Sequence, residues 1–343
     1  MTLQARTAGL DRADLSARTI DFDAIPIVDI AGLWSADLAD RQTVADAIGA
    51  ACRNVGFLYV TGHGVPQSRI DEVYRVASAF FDLPREYKLR YDSNRLQRHR
   101  GYVALGDLAA DPHDQAAFDL QEAYEVSLEL PATDPDHVAG NIMYGPNVWP
   151  DEPPEFREIV YAYYETVLTV GRRLFRGFAL ALDLPEDYFD DKIDKPMGQL
   201  RVVQYPPQPE PIDPRHIGVS AHTDYECFTI LATSAPGLQV RNRAGEWIDA
   251  PPIPGAFVIN IGDIMERWTN DIFTSTVHRV INRTGAKRYS LPFFFGANHD
   301  TVVTCLPTCR SADRPARYPV TTAGEWTVAN ITAAYSYRKP KGA

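Results

Sequence analysis

His222 and Asp224, two positions apart, are the strongest candidates for metal chemistry in this chain. A β-strand directs residues i and i+2 to the same side, so on a strand this imidazole and this carboxylate could bind one ion. His278 offers a third ligand. Two imidazoles and one carboxylate, with the other positions open, suit non-haem Fe(II) and oxygen chemistry. Because His also falls near Asp by chance, as in His113-Asp114, an ordinary surface or core histidine remains the alternative for His222.

Arg288 and Ser290 form a second pair with the same spacing, within the apolar run 289–295. A guanidinium buried in such a run is costly unless it meets an anion. Arg binds a carboxylate through two parallel hydrogen bonds, and a serine hydroxyl can add another donor. An iron site beside a carboxylate clamp predicts a 2-oxo acid as cosubstrate. An internal ion pair between Arg288 and an acidic residue is the alternative.

Together these motifs resemble the isopenicillin-N-synthase-like group of Fe(II)- and 2-oxoglutarate-dependent oxygenases. The resemblance extends from about Ile25 to about Pro307 and is specific for the family but not for the substrate. Beyond the candidate ligands and the run Arg288-Tyr289-Ser290, it rests on four further runs: residues 56–65 (GFLYVTGHGV), 200–206 (LRVVQYP), 237–240 (GLQV) and 260–263 (NIGD).

The resemblance implies that the three candidate ligands hold Fe(II). 2-Oxoglutarate would chelate the iron, and its far carboxylate would meet Arg288 and Ser290, with the Tyr205 hydroxyl as a third donor. O2 would be consumed, and ascorbate is a candidate reductant. The chain departs from the family pattern at Val203, where many members carry Asn. Because valine cannot form a side-chain hydrogen bond, this departure puts one cosubstrate contact in doubt.

Four residues are candidates for substrate binding: Arg201, Tyr102, Tyr225 and Phe294. Strand alternation places Arg201 on the same face as Tyr205, which predicts a pocket arginine and a carboxylated or carbonyl-bearing substrate. A salt bridge at the barrel rim is the alternative for Arg201. The resemblance implies that Phe294 lines the pocket and that the loop at 92–114 approaches the substrate. Ordinary core or surface positions remain open for all four.

Composition excludes several kinds of partner. The 343-residue chain carries 45 acidic and 34 basic residues, a net charge of −11. Because nucleic acids and anionic membranes bind basic surfaces, neither is expected as a partner. No apolar run is long enough for a membrane span, and the N-terminus has no apolar segment typical of a secretory signal. Four cysteines in a chain of this length indicate reduced thiols in the cytoplasm.

The order of predicted elements indicates an α+β, mainly β, fold. Helical patterns at 38–55, 70–81 and 156–182 are followed by regular short strands from residue 199 onward, which favour a double-stranded β-helix, or jelly-roll, barrel. We predict a flexible arm at 1–24 and one oxygenase domain at 25–343. Its predicted parts are a helical N-terminal part (25–198) packed on the barrel, a jelly-roll core (199–310) and a C-terminal lid or tail (311–343).

The combined prediction is an oxygenase that hydroxylates or otherwise oxidises a small molecule and releases succinate and CO2. All but six of the 34 basic residues are Arg, which is typical of a GC-rich bacterial genome, and we expect a role in specialised or catabolic metabolism. A monomer or homodimer is expected. The alternatives are an oxidase or ethylene-forming enzyme of the same fold, a catalytically dead binding protein, and a zinc hydrolase with the same ligands.

Overall fold

The computed structural model describes residues 25–96, 99–107, 118–208 and 210–334. The predicted arm at 1–24 lies outside these residues, as does the end of the predicted C-terminal lid. The described helices are α1 Leu38–Asn54, α2 Gln67–Phe81, α3 Arg85–Lys88, α4 Ser93–Leu96, α5 Pro135–Val138, α6 Phe156–Ala181, α7 Asp263–Trp268 and α8 Ala323–Ala334, with 3-10 turns at Ala31–Trp34, Leu89–Tyr91, Asp190–Lys192 and Pro307–Cys309.

Two sheets enclose the centre of the molecule. Among the described residues, eight strands form the major sheet in the order β1-β2-β10-β7-β12-β5-β4-β3, and four form the minor sheet in the order β6-β11-β8-β9. A short ladder joins β13 to β14. The strands are β1 Ile27–Asp29, β2 Phe57–Thr61, β3 Gly101–Val103, β4 Glu122–Ser127, β5 Gln199–Tyr205, β6 Val219–His222, β7 Phe228–Thr233, β8 Leu238–Arg241, β9 Trp247–Asp249, β10 Phe257–Ile261, β11 His278–Val280, β12 Arg288–Phe295, β13 Val302–Val303 and β14 Thr321–Thr322.

Both halves of the chain contribute to the major sheet. Its outer strands β1 to β4 come from the helical N-terminal part, and they pair with strands of the predicted jelly-roll core. This arrangement is the predicted α+β architecture, with the sheets at its core. Because neighbouring strands lie about 4.8 Å apart, side chains that are distant in sequence are brought together on the inner faces of the two sheets.

Helix α6 supports the major sheet from outside. Its buried stripe has the predicted 3–4 spacing and contains Phe156, Val160, Tyr163, Val167, Leu174 and Phe178. A Cβ at Gly171 would lie 2.3 Å from the Phe295 ring, so only glycine permits this approach of helix to strand. The tight contact holds β12, which carries Arg288 and Ser290, against a rigid element.

The strand predicted around the second imidazole is shorter than expected. The sequence predicts a strand at 275–282, whereas β11 extends only from His278 to Val280. The side chains before it serve as hydrogen-bonding groups instead: the Ser275 hydroxyl donates to Asp263 at 2.7 Å and the Thr276 hydroxyl donates to the Val55 carbonyl at 2.7 Å. These two bonds tie residues 275 and 276 to α7 and to the residue after α1 instead of to a neighbouring strand.

A buried polar network joins the N-terminal part to the sheet. The Lys88 ammonium donates to Glu122 at 2.6 Å and to the Phe81 carbonyl at 2.7 Å. The Tyr102 hydroxyl donates to the same Glu122 oxygen at 2.6 Å, and the Gln204 amide donates to the other oxygen at 2.9 Å. Because these side chains are almost inaccessible to water, the ammonium and carboxylate depend on each other for their stability.

Lys88→Met should lower the free energy of unfolding by about 3–5 kcal/mol, because it leaves the Glu122 carboxylate buried without its cation. The control is Arg75→Met, which removes an exposed ion pair with Glu155 at 2.8 Å and should cost no more than about 1 kcal/mol. Urea unfolding followed by circular dichroism measures both. Equal losses in the two variants would contradict a structural role for the network.

Candidate active site

The three candidate ligands meet at the edge of the minor sheet. His222 is the last residue of β6 and His278 the first of β11, and the two residues are direct partners in the antiparallel ladder. Asp224 follows two residues after His222, beyond the end of the strand. The two residues do lie together as predicted, but the predicted reason, alternation along one strand, is wrong. Asp224 therefore reaches the imidazoles from the unpaired segment that follows β6.

Backbone carbonyls orient both imidazoles. Nδ1 of His222 lies 2.7 Å from the Ser220 carbonyl and Nδ1 of His278 lies 3.1 Å from the Thr276 carbonyl. A carbonyl only accepts, so each Nδ1 carries the proton and donates it. In the neutral imidazole each Nε2 then keeps its lone pair, and these atoms lie 3.5 and 3.6 Å from Asp224 Oδ1. This carbonyl-bound arrangement is typical of metal-binding histidines.

Two neutral side chains hold the other oxygen of Asp224. The Thr229 hydroxyl donates to Oδ2, and the Asn260 amide donates to the same atom at 2.6 Å. Thr229 and Asn260 are cross-strand partners on β7 and β10, so the major sheet fixes the carboxylate of a residue that lies outside any strand. Oδ1 is left facing the two imidazoles.

The protonation states of Asp224 and His278 suit a cation. Burial raises the pKa of Asp224, but the His278 and His222 imidazoles outweigh it and hold that pKa well below its usual range. Burial, together with neighbouring His222, lowers the pKa of His278 to about 4. Burial also lowers the pKa of His222, but the Asp224 carboxylate raises it overall. An ionised carboxylate beside a neutral imidazole is the state that metal binding requires.

The donor set fits Fe(II). One ligand atom from each of His222, Asp224 and His278 lies within 4.8 Å of the others, and no other such group of three was found among the described residues. Two nitrogens and one carboxylate oxygen leave positions for further ligands, as in non-haem iron oxygenases. The same three donors also match a catalytic zinc site, so the neighbouring clamp decides between the two.

The Arg288 side chain is wholly buried, and of its three nitrogens only Nε donates well-formed hydrogen bonds. Its Nε donates to the Ala235 and Pro236 carbonyls at 3.0 and 3.1 Å. Its two terminal nitrogens form no well-aligned hydrogen bond with any described residue, although the Tyr205 side chain interacts with the guanidinium. No described carboxylate pairs with Arg288, so the alternative of an internal ion pair is not what the structure shows. Burial lowers the pKa of Arg288. Because an unpaired buried guanidinium is costly, these nitrogens are a site for a ligand carboxylate.

Tyr205 and Ser290 lie beside this guanidinium. Antiparallel pairing of β5 with β12 places Tyr205 directly opposite Arg288, whose guanidinium carbon lies 4.8 Å from the centre of the tyrosine ring. The Tyr205 and Ser290 hydroxyls are 3.1 Å apart and hydrogen-bonded. The three residues predicted to bind a carboxylate are thus neighbours in space.

A cavity of about 70 Å³ connects the triad to the clamp. Its walls come from both sheets and include Gln121, Arg201, Val203, Tyr205, Val219, His222, Asp224, Thr229, Leu231, Leu238, Asn260, His278, Val280, Arg288, Ser290, Pro292 and Phe294. Two larger clefts, of about 580 and 510 Å³, contain none of the triad. Of the three, only the cavity of about 70 Å³ contains both the metal donors and the anion site, so it is the candidate active-site cavity.

The cavity contains two of the four predicted substrate residues. Arg201 and Phe294 line it, and Arg201 shares its face with Val203 and Tyr205 as strand alternation predicted. Arg201 Nε lies 3.6 Å from Glu125, a carboxylate with no exposure to solvent that is its direct partner on β4. The arginine is therefore both part of an ion pair and part of the wall.

The structure does not support a substrate contact for Tyr102 or Tyr225. Tyr102 is in register with Tyr124 on the outer face of the sheet, where its ring packs 5.9 Å from that of Phe80 on α2. The prediction for Tyr102 failed because it lies on a strand, β3, whose pairing decides which way it points. Residues 97–98 and 108–114 of the predicted loop lie outside the described residues. Tyr225 packs against the core and is not among the residues that line the cavity.

Several residues of the site were not found from the sequence. Asn260 lies in a run that resembles the family, but the sequence gives no sign that it bonds Asp224. Thr229 and Gln121 carry no sequence signal at all. Both are exposed to the cavity only because of cross-strand pairing.

Comparison with known proteins identifies the family. Residues 25–152 match the family described as the N-terminal region of non-haem dioxygenase in morphine synthesis. Residues 196–297 match the 2OG-Fe(II) oxygenase superfamily. A 2-oxoglutarate-Fe(II) type oxidoreductase of Emericella nidulans is 36% identical over 302 residues, which cover 86% of each chain. The chain belongs to the 2OG-Fe(II) oxygenase superfamily. The predicted resemblance is confirmed.

Two further relatives extend the comparison. A homoarginine-6-hydroxylase of Arabidopsis thaliana is 36% identical over 306 residues, covering 84% of this chain and 90% of the relative. A Neurospora crassa protein solved with α-ketoglutarate and thymine superimposes with a TM-score of 0.81 at 27% identity, covering 92% of this chain and 99% of that protein. The oxygenase is thus a 2-oxoglutarate- and Fe(II)-dependent dioxygenase with a jelly-roll core, and its relatives act on small molecules.

No helix among the described residues of this oxygenase is both long enough and apolar enough to cross a membrane.

Proposed function

We propose that His222, Asp224 and His278 hold the Fe(II) of this oxygenase, and that Arg288, Ser290 and Tyr205 bind the far carboxylate of 2-oxoglutarate. The observation that carries the proposal is the pair of buried terminal nitrogens of Arg288, without a well-aligned hydrogen bond to any described residue, in the same cavity as the triad. A hydrolytic zinc site would have no use for such a group.

Fe(II) held by these residues would supply the redox chemistry for O2: two of its four oxidising equivalents would convert 2-oxoglutarate to succinate and CO2, and the other two would oxidise the substrate. The protein's own contribution is position. The carbonyls at Ser220 and Thr276 fix the imidazoles, and Thr229 with Asn260 fixes Asp224. The apolar wall formed by Leu231, Leu238 and the other aliphatic residues keeps water from the reacting groups.

The substrate is a small molecule with a carboxylate or carbonyl group that accepts a hydrogen bond from Arg201. Phe294 provides an apolar surface at the same wall. Glu125 neutralises much of the Arg201 charge, so a neutral carbonyl suits the site as well as a carboxylate does. Thymine, bound by the Neurospora crassa relative, is a carbonyl compound, and homoarginine, in the name of the Arabidopsis thaliana relative, carries a carboxylate.

A bacterial source fits the arginine-rich composition. A role in specialised or catabolic metabolism stays a prediction. The cytoplasmic location, the monomeric or homodimeric state and the single domain over 25–343 stay predictions.

Succinate release tests this function. The purified Fe(II)-loaded enzyme is given 2-oxoglutarate, O2 and one probe at a time. The probes are thymine, homoarginine and two pairs of a carboxylate with its amide: nicotinate with nicotinamide, and benzoate with benzamide. We expect at least one probe to raise succinate above the substrate-free rate, with one succinate for each oxidised product. Product without succinate would favour an oxidase of the same fold. No response to any carbonyl-bearing probe would contradict the proposed substrate class.

Arg201→Gln should reduce turnover of the responding probe about tenfold to a hundredfold, the effect of losing a hydrogen bond to a charged group. Succinate formed without substrate should persist, because the cosubstrate clamp is intact. The matched control is Arg41→Gln, which removes a partly exposed ion pair with Glu186 far from the cavity. Equal loss in both variants would show that Arg201 acts on stability and not on the substrate.

A further inference from the structure

Gln121 has a buried carboxamide that the fold does not use. Its side chain is in the cavity wall, and the residue is only 3% exposed. The backbone N–H donates to the Asp119 carbonyl at 3.0 Å, but the carboxamide forms no hydrogen bond with any residue that the structure describes. Buried polar groups are almost always hydrogen-bonded. A carboxamide left over inside a binding cavity is therefore available to a ligand.

The sheet register places this carboxamide at the clamp end of the cavity. Ala123 on β4 lies opposite Val203 on β5. Gln121 is two residues before Ala123, and Tyr205 is two residues after Val203. In an antiparallel pair these two positions are neighbours on the same face of the sheet. The Tyr205 hydroxyl is bonded to Ser290. Gln121 thus borders the residues proposed to hold 2-oxoglutarate.

Most of the other polar side chains in the cavity wall already form hydrogen bonds within the protein. Thr229 and Asn260 are committed to Asp224. The clamp hydroxyls bond each other. Val203, 1% exposed in the middle of the wall, has no hydrogen-bonding side-chain group. Gln121 can therefore donate a hydrogen bond to a ligand oxygen, which Val203 in the middle of the wall cannot.

We propose that the Gln121 carboxamide donates a hydrogen bond to an oxygen of 2-oxoglutarate. The cosubstrate has two carboxylates and a ketone, all acceptors, and an amide NH2 group is a suitable donor. Gln121 would be a positioning residue on a neighbouring strand that compensates for Val203. The inference rests on the proposed cosubstrate clamp. Recognition of the substrate by Gln121 is the competing role, and the experiment separates the two.

The test is anaerobic titration of the Fe(II)-loaded protein with 2-oxoglutarate, followed by the visible charge-transfer band of the chelate. Gln121→Leu keeps a side chain of similar size and removes the amide. Its dissociation constant for 2-oxoglutarate should rise about tenfold to a hundredfold, the effect of losing a hydrogen bond to a charged acceptor. Its affinity for Fe(II) alone, measured before the cosubstrate is added, should stay unchanged.

Gln204→Leu is the matched control. Gln204 is a buried glutamine on the opposite face of the sheet, bonded to Glu122 and Tyr289, and its loss should leave the dissociation constant for 2-oxoglutarate unchanged. Gln121→Glu is the second variant, in case the leucine variant does not fold. It keeps the shape but adds an anion, and it should weaken 2-oxoglutarate binding further.

A dissociation constant for Gln121→Leu within about twofold of the wild-type value overturns the inference and leaves the clamp standing. A wild-type protein that binds iron but gives no band overturns the clamp and the inference together. The two failures are thus distinguishable in one experiment.

Discussion

Asp224→Ala should leave the protein unable to retain Fe(II). The carboxylate is the only anionic member of the triad, and its Oδ1 lies 3.5 and 3.6 Å from the two imidazole Nε2 atoms. Changing a residue that merely supports a metal ligand typically costs tenfold to a hundredfold in metal affinity. Loss of the ligand itself should exceed about a hundredfold. Iron content after gel filtration and anaerobic Fe(II) titration measure the effect.

Asn260→Ala provides a graded comparison. It removes one hydrogen bond to Asp224 Oδ2 and keeps the Thr229 contact, so metal affinity should fall by only about tenfold to a hundredfold. Asp71→Ala, which changes a helix residue bonded to Gln67, is the control and should bind iron normally. Stoichiometric iron in a folded Asp224→Ala protein would disprove the assignment of this triad as the metal site.

Arg288→Met should nearly abolish 2-oxoglutarate binding while making the cosubstrate-free protein more stable. Truncating one partner of a buried charge pair costs about 2–5 kcal/mol in binding, which is about thirtyfold or more in the dissociation constant. Without cosubstrate, the wild-type protein buries a guanidinium whose terminal nitrogens form no well-aligned hydrogen bond with any described residue. Replacing it by an apolar side chain of similar length removes that cost.

Two measurements on the same variant test this prediction. Urea unfolding without cosubstrate should show a higher midpoint for Arg288→Met than for wild type. Saturating 2-oxoglutarate should then stabilise the wild-type protein and leave the variant unchanged, because a ligand stabilises only the state that it binds. Ser290→Ala, which removes one hydroxyl and keeps the charge, should weaken binding less. Arg288→Met binding 2-oxoglutarate as tightly as wild type would refute the clamp.

The sequence determined the residue types and the strands that carry them. The strands predicted from residue 199 onward begin with β5 at Gln199, and the helical pattern predicted at 156–182 is α6. Both agree with the structure because both depend on local periodicity. The face of Arg201 followed from the same alternation. The two imidazoles, the carboxylate and the arginine-serine pair could be selected before any fold was known, because a metal and a dicarboxylate require those side-chain types.

Only the tertiary structure decided how these groups are held and which other residues join them. Asp224 is fixed by Thr229 and Asn260, two cross-strand neighbours that lie 5 and 36 positions away in sequence. Tyr102 points away from the cavity and Gln121 points into it. The physical reason is pairing. In a sheet, the register between distant segments decides which side chains share a face, and a shift of one residue reverses every side chain.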